Sequence, residues 1–250
     1  MKFFLTVFLA IALLSSGIYG IFFTDYFIVE KFELVEEGTV IDSYEKMDEI
    51  LKKIIGQNIF FINNEALIQE IKTAHPEIEK VTVKKIFPGT VKIEYGKFPT
   101  VANIENMVDG IQKKFLVDSQ GFLIEENLDQ PDLPHIKIET SESLTVRSTF
   151  LQDPKRSVER LTYILNAINL FEEKFGMKVL YAQFYPRERE VHLYTEKYFT
   201  VMIDMEKDLN RQIEKLKKAL AKLDIYNDPL VYIDLRISGT DTEKVIFKRK

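Results

Sequence analysis

The first pattern along the chain is an uncharged, strongly apolar run that covers residues 3–23. A helix of this length spans the roughly 30 Å hydrocarbon core of a bilayer. Aromatic side chains gather at its end, at Phe22, Phe23, Tyr26 and Phe27, which is typical of a membrane–water interface. The pattern therefore predicts an N-terminal transmembrane helix over residues 3–23.

A cleaved signal peptide is the alternative, with Lys2 before an apolar stretch and the small residues Ser15–Gly17 near a cleavage site. Apolar residues continue past that site through Ile18–Phe23, which favours an uncleaved anchor. Lys2 precedes the run, and acidic residues such as Asp25 follow it. The positive-inside rule then predicts a cytoplasmic tail of residues 1–2, with the bulk of the chain outside the cytoplasmic membrane.

The next stretch, residues 28–97, begins with alternating apolar and polar side chains, which indicates a half-buried strand. Asp42 or Ser43 is placed to cap a first amphipathic helix, and Asn63–Asn64 to open a second. Two strands joined by a turn at Pro88–Gly89 follow. These segments predict a β-α-α-β-β domain in which two helices cover one face of a small sheet.

The remaining stretch, residues 98–250, predicts a second α/β domain, so that the chain as a whole is α+β. Asp153–Pro154 begins a long amphipathic helix that Gly176 ends. Three alternating strands follow, and then a second amphipathic helix with apolar positions from Leu209 to Leu223. Strands at Val231–Leu235 and Val245–Phe247 come last. Short turns between the strands favour a mostly antiparallel sheet, which the two helices accompany.

Composition narrows the class of protein. The chain has 250 residues and is 46% hydrophobic, as expected for folded domains rather than a disordered chain. It has 34 basic and 39 acidic side chains, and this acidic balance argues against nucleic-acid binding. With no cysteine, the chain has no disulfide, no thiolate metal site and no cysteine nucleophile.

The candidate chemistry is sparse. His75, His135 and His192 fall on three separate predicted elements, without the close spacing of a metal or catalytic site. His75 is interpreted as a helix-end residue and His192 as a strand surface residue. We therefore predict no metal and no cofactor.

Three aspartates could be combined into an acid–base set, but a structural interpretation suits each of them better. Asp118 fits an Asx turn, Asp204 a helix cap, and Asp234 a local ion pair with Arg236. No pairing of a nucleophile with a base is recognisable in the sequence. We therefore predict no catalytic residue and no enzymatic activity.

Several motifs occur in the order typical of one known family. They are Gly56–Phe60, Pro76–Ile93, Val117–Asp118 with Gly121–Phe122, Leu133–Pro134 with Ile136, and Ile233–Arg236. Together with the N-terminal anchor, this order resembles the FtsQ/DivIB family of bacterial cell-division proteins, with a POTRA domain and an FtsQ-type β domain. Two features depart from the family pattern: the cytoplasmic tail is very short, and the domain junction Gly96–Ala102 is altered.

The resemblance implies a non-enzymatic, single-pass scaffold of the divisome that supports septum formation. Its partners would be division membrane proteins of the FtsB and FtsL type, bound outside the cytoplasmic membrane. Two other classes stay open. One is another POTRA-bearing scaffold for secretion or assembly, and the other is a secreted hydrolase, which would have a pocket of converging ionisable groups.

The end of the chain is the candidate partner-binding site. A C-terminal strand often lies at a sheet edge, where unpaired N–H and C=O groups accept a partner strand; a strand buried between neighbours is the alternative. We expect an FtsB-type partner to add a strand there, and proline at Ile246 to remove one edge donor. The expected contact residues are Tyr232, Arg236, Ile237, Lys244, Val245, Ile246, Phe247 and Lys248.

Lys84 and Lys85 form a second candidate contact patch because they are adjacent and basic. Such a patch suits anionic lipid or an acidic partner, and the predicted domain lies close to the membrane. An ordinary solvated surface is the other interpretation.

Overall fold

The computed structural model describes residues 2–22, 24–41, 44, 47–108, 110–237 and 245–250. The predicted helix cap at Asp42 or Ser43 and the predicted contact residue Lys244 lie outside the described residues. The chain divides into two units, Met1–Phe98 and Pro99–Lys250. Both units combine helices with sheet, which confirms the α+β class.

Residues 3–22 of the uncharged run lie in one helix, α1 (Lys2–Phe22). Large apolar side chains on it, including Phe8, Leu13 and Leu14, are exposed. Counted over the residues that the structure describes, no helix is both long enough and apolar enough to cross a membrane. The membrane span over residues 3–23 therefore stays a prediction.

The rest of the first unit confirms the predicted order of two helices and their flanking strands. Its sheet has the order β2-β1-β4-β3, in which β1 is parallel to β4 and the other pairs are antiparallel. The elements are β1 (Lys31–Glu36), β2 (Thr39–Ile41), α2 (Met47–Lys52), α3 (Asn64–Ala74), β3 (Ile78–Ile86) and β4 (Thr90–Lys97). Short 3-10 helices lie at Asp25–Phe27 and Ile59–Phe61.

Strand β2 was not predicted. It returns from β1 through a two-residue turn at Glu37 and Gly38, both at positive φ. Such a turn is the tightest hairpin connection, and a three-residue strand is too short to show a period. The other turn chemistry follows the sequence. Asn63 caps α3 by accepting hydrogen bonds from the N–H groups of Glu65 and Ala66 at 3.0 and 3.1 Å.

The core of the first unit lies between its helices and one face of its sheet. Ile50 and Leu51 of α2 and Ile71 of α3 are buried against Val83 and Ile93 of the sheet. This packing accounts for the apolar stripes that the sequence showed, because each helix presents only one face to the strands.

We expect Ile50→Asp to unfold the first unit, because an unpaired carboxylate in this core costs several kcal/mol of a total stability of about 5–15 kcal/mol. Ile55→Asp is the matched control. Ile50 is 6% exposed and Ile55 is 39% exposed. Thermal unfolding followed by circular dichroism compares the two variants. Equal melting of Ile50→Asp and the parent protein would show that the core is assigned wrongly.

In the described part of the second unit, one nine-stranded sheet is accompanied by two helices. Its strand order is β13-β12-β11-β10-β9-β8-β5-β6-β7, and most neighbours are antiparallel, as predicted. The strands are β5 (Thr100–Val108), β6 (Ile111–Asp118), β7 (Leu123–Glu126), β8 (His135–Ile138), β9 (Val179–Tyr185), β10 (Glu190–Thr195), β11 (Thr200–Asp204), β12 (Leu230–Asp234) and β13 (Ile246–Arg249). The helices are α4 (Pro154–Phe175) and α5 (Leu209–Ala219).

The ends of α4 follow the sequence closely. The Asp153 side chain accepts from the N–H groups of Lys155 and Arg156, and Gly176 closes the helix at φ 59°. Helix α5 ends at Ala219, before the predicted Leu223, although Leu223 is still buried in the same core. The apolar pattern marked core positions correctly and extended the helix too far, because a buried side chain does not require a helical backbone.

Candidate functional site

The nine-stranded sheet of the second unit ends in two different edges. At the β7 edge, Leu123 N–H donates to Ser148 C=O at 2.9 Å, and Arg147 N–H donates to Leu123 C=O at 2.8 Å, so a loop covers the start of that strand. At the other edge, β13 pairs only with β12 among the described residues, and its four side chains are exposed. The C-terminal strand therefore lies at the open edge.

The direction of the backbone groups along β13 follows from one hydrogen bond. Lys250 N–H donates to Pro229 C=O at 2.7 Å. Backbone N–H and C=O groups of alternate residues in an antiparallel strand point to opposite sides. Those of Lys248 and Ile246 therefore point toward β12, like those of Lys250. Phe247 therefore presents its N–H and C=O to the open side. The expectation for proline at Ile246 was wrong, because that N–H belongs to the pairing with β12.

The side chains of this edge divide between two faces of the sheet. Register pairs Ile233 with Phe247, and Ile233 is fully buried, so Phe247 lies on the core side. Register also pairs Tyr232 with Lys248, which places both on the opposite face with Ile246. The predicted contact residues therefore share one edge and not one face.

Phe247 is supported from its own strand and remains 38% exposed. The Arg249 guanidinium lies 5.2 Å from the centre of the Phe247 ring, and its Nη2 donates to Asp228 Oδ2 at 2.9 Å. Val245 packs against the core of the unit, while Ile237, before the undescribed stretch, is exposed. The edge thus offers an aromatic ring beside open backbone groups.

Arg236 forms ion pairs within the second unit. Its Nε and Nη2 donate to Asp234 at 3.0 and 2.8 Å, and its Nη1 donates to Glu190. This confirms the local pair predicted from sequence, while the expected contact of Arg236 with a partner stays a prediction. Burial alone would raise the pKa of the Asp234 carboxyl, but hydrogen bonds from Arg236 outweigh it and lower that pKa.

His192 belongs to the same polar cluster and is half-buried. The sequence had instead suggested a strand surface residue. Its Nε2 lies 3.1 Å from Glu190 Oε2, and its ring packs 4.6 Å from that of Tyr185. The side chain is only 16% exposed. Burial, together with the positive charge of Arg236, lowers the pKa of His192 below its usual 6.5.

Two lysines hold the segment that follows β12. Lys215 Nζ donates to the carbonyls of Leu235 at 3.2 Å and Ile237 at 2.6 Å, and Lys207 Nζ donates to that of Arg236. Lys215 is buried, and burial lowers its pKa. Sequence reasoning missed Lys215, whose only sequence signal is its place beside Leu216 on the apolar stripe of α5.

The second candidate patch does not form as predicted. Lys84 points to one face of β3, where it pairs with Glu94. Lys85 points to the other face, where its Nζ donates to the carbonyl of Ile62 at 2.8 Å. Adjacent residues of a strand face opposite ways, so the two charges do not converge on one ligand.

The remaining candidate residues have local structural roles. Asp118 accepts from the N–H groups of Gln120 and Phe122, which confirms the Asx turn. The helix cap predicted at Asp204 is Asp208 instead, which accepts from Arg211 N–H at 2.8 Å. Over the ranges that the structure covers, no group of three or more His, Asp or Glu side chains is arranged to hold a metal ion.

His75 closes α3, as predicted, and is buried. Its Nδ1 lies 3.1 Å from Glu77 Oε1, to which the Tyr44 hydroxyl also donates at 2.8 Å. Burial would raise the pKa of the Glu77 carboxyl, but its hydrogen bonds outweigh this and lower it. Burial and the same carboxylate raise the pKa of Tyr44, so its hydroxyl stays a donor.

We expect the second unit to lose stability as the pH falls from about 7.5 to about 5.5. The folded pKa of His192 is lowered from 6.5, so the unfolded state binds more protons below about 6.5. His192→Gln removes this proton uptake and should flatten the pH dependence of urea unfolding. His135→Gln, in the more exposed histidine of the same unit, is the control. Equal slopes for the parent protein and His192→Gln would contradict the assignment.

Comparison with known families supports one identity for the first unit. Residues 37–94 match the family model described as POTRA domain, FtsQ-type. The matched stretch begins in the β1–β2 turn and ends within β4, so it includes both helices and most of the sheet. The match confirms the resemblance to the FtsQ/DivIB family. No curated protein matches the chain in sequence.

Proposed function

We propose that this protein is a scaffold of bacterial cell division, because residues 37–94 match the model of an FtsQ-type POTRA domain. It is non-enzymatic and works by binding other divisome proteins outside the cytoplasmic membrane, which supports septum formation. The domain match is the single observation that carries this proposal. The open sheet edge of the second unit supports it, because a scaffold needs a surface that a partner can extend.

The proposed anchor is the uncharged run of residues 3–23, of which residues 3–22 lie in helix α1. Lys2 precedes the run and Asp25 follows it, so the tail of residues 1–2 is cytoplasmic and the two units are outside. This arrangement brings both units to the side of the membrane where septum synthesis takes place.

The proposed partner is a division protein of the FtsB type, with an FtsL-type protein in the same assembly. A strand of the FtsB-type protein adds to β13, where Phe247 directs its N–H and C=O outward. Each new backbone hydrogen bond contributes about 1 kcal/mol. The Phe247 ring and the exposed Ile246 add apolar contacts on the two faces, and Lys248 suits an acidic residue of the partner.

We expect Phe247→Pro to weaken binding of an FtsB-type partner more than Phe247→Ala does. Both changes remove the aromatic ring, and only proline also removes the outward N–H. The lost hydrogen bond is worth about 1 kcal/mol, or roughly a fivefold change in Kd. Isothermal titration calorimetry measures both affinities, and circular dichroism checks the fold. Deletion of residues 245–250 should abolish binding in a shortened protein that circular dichroism shows to be folded. Unchanged affinity would place the site elsewhere.

The anchor is tested separately. Protease added to spheroplasts should digest the bulk of the chain, because both units lie outside the membrane. Mass spectrometry of the purified protein should find the original N-terminus. A mature chain that begins near Ile18 would show a cleaved signal peptide instead.

A further inference from the structure

The first unit exposes an aromatic cluster at the margin of its core, and Phe27 of this cluster also packs against that core. The cluster consists of Phe27, Phe60 and Phe87, flanked by Tyr26 and Phe61. Ring centres lie 5.1 Å apart for Phe27 and Phe60, and 5.0 Å apart for Phe60 and Phe87. Tyr26 is 68% exposed, Phe61 63%, Phe87 53% and Phe60 40%. Exposed aromatic side chains that group in this way mark an interaction surface.

Three separate segments build the aromatic cluster, and backbone contacts fix them to one another. Val29 N–H donates to Gln57 C=O and Glu30 N–H donates to Gly89 C=O, both at 2.9 Å. At Gly89 the backbone comes so close that an added Cβ would lie 2.4 Å from the Ile28 carbonyl oxygen. The segment that leaves α1 is therefore clamped between two loops, which makes the cluster a preformed surface.

The chain itself limits what can cover this surface. Helix α1 ends at Phe22, and Tyr26 follows four residues later. At no more than about 3.5 Å per residue, Tyr26 lies within roughly 14 Å of the helix end. The polar interface of a bilayer begins where a spanning helix ends, and aromatic rings concentrate in that layer.

We propose that the aromatic cluster inserts into the headgroup layer of the membrane that α1 crosses, and so docks the first unit on the lipid surface. The proposal rests on the proposed anchor. It adds that the folded domain, through Phe60 and Phe87, contacts lipid in addition to the residues at the helix exit. Docking would hold the unit in one orientation to the membrane, because three clamped segments make the contact.

Tryptophan fluorescence can test the docking, because the chain contains no tryptophan. Phe60→Trp places a reporter in the aromatic cluster, and Phe61→Trp gives a second one on the same 3-10 helix. Val40→Trp is the control in the same unit. Val40 is 67% exposed on β2 and pairs with Val35, at the end of β1 away from Gly89. Phe8→Trp reports on α1.

Each full-length variant is reconstituted into vesicles of phosphatidylcholine and phosphatidylglycerol, with lipids brominated either near the headgroup or deep in the acyl chain. Docking predicts that headgroup bromines quench most of the emission of Phe60→Trp and Phe61→Trp, and little of that of Val40→Trp. Deep bromines should quench Phe8→Trp if α1 spans the bilayer.

The outcomes separate the two proposals. The docking would be overturned, and the anchor left intact, by the following result: Phe8→Trp is quenched, while Phe60→Trp and Phe61→Trp are no more quenched than Val40→Trp. Absence of quenching in Phe8→Trp would overturn the anchor and the docking with it. Equal quenching of all three reporters of the unit would show contact with lipid that is not specific to the aromatic cluster, which also overturns the docking.

Discussion

The pairing of β12 with β13 is the interaction on which the open edge of the second unit depends. Strand β12 carries the buried side chain of Ile233 and needs a neighbour on each side, and β13 satisfies the side away from β11. A strand that completes one neighbour leaves its own outer groups open. The same pairing therefore completes β12 and creates the edge at which we propose that a partner binds.

Polar contacts around the end of β12 hold that edge in place. Asp234 accepts from Arg236, and Lys215 and Lys207 bind the carbonyls that follow the strand. These groups are partly or fully buried, and buried polar groups are costly unless each has a partner. Removing Arg236 or Lys215 would therefore affect the edge as well as the stability of the unit.

In the first unit, backbone contacts likewise hold an exposed group in place, namely the aromatic rings next to α1. Its sheet and helices bury one apolar face, while the segments next to α1 place aromatic rings outside the core. Contacts with Gly89 and Gln57 fix these segments without covering the rings. These backbone contacts therefore hold Phe60 and Phe87 in position while their rings stay exposed.

The sequence by itself determined the class, the order of most elements and the ends of α3 and α4. Periodicity, the caps at Asn63 and Asp153 and the turn glycines act over a few residues, so they can be read along the chain. It could not give the short strand β2, the side to which Phe247 directs its backbone groups, or the role of Lys215. These depend on register and on segments distant in sequence, and a shift of one residue reverses which face or edge a group occupies. Only the tertiary structure decides them.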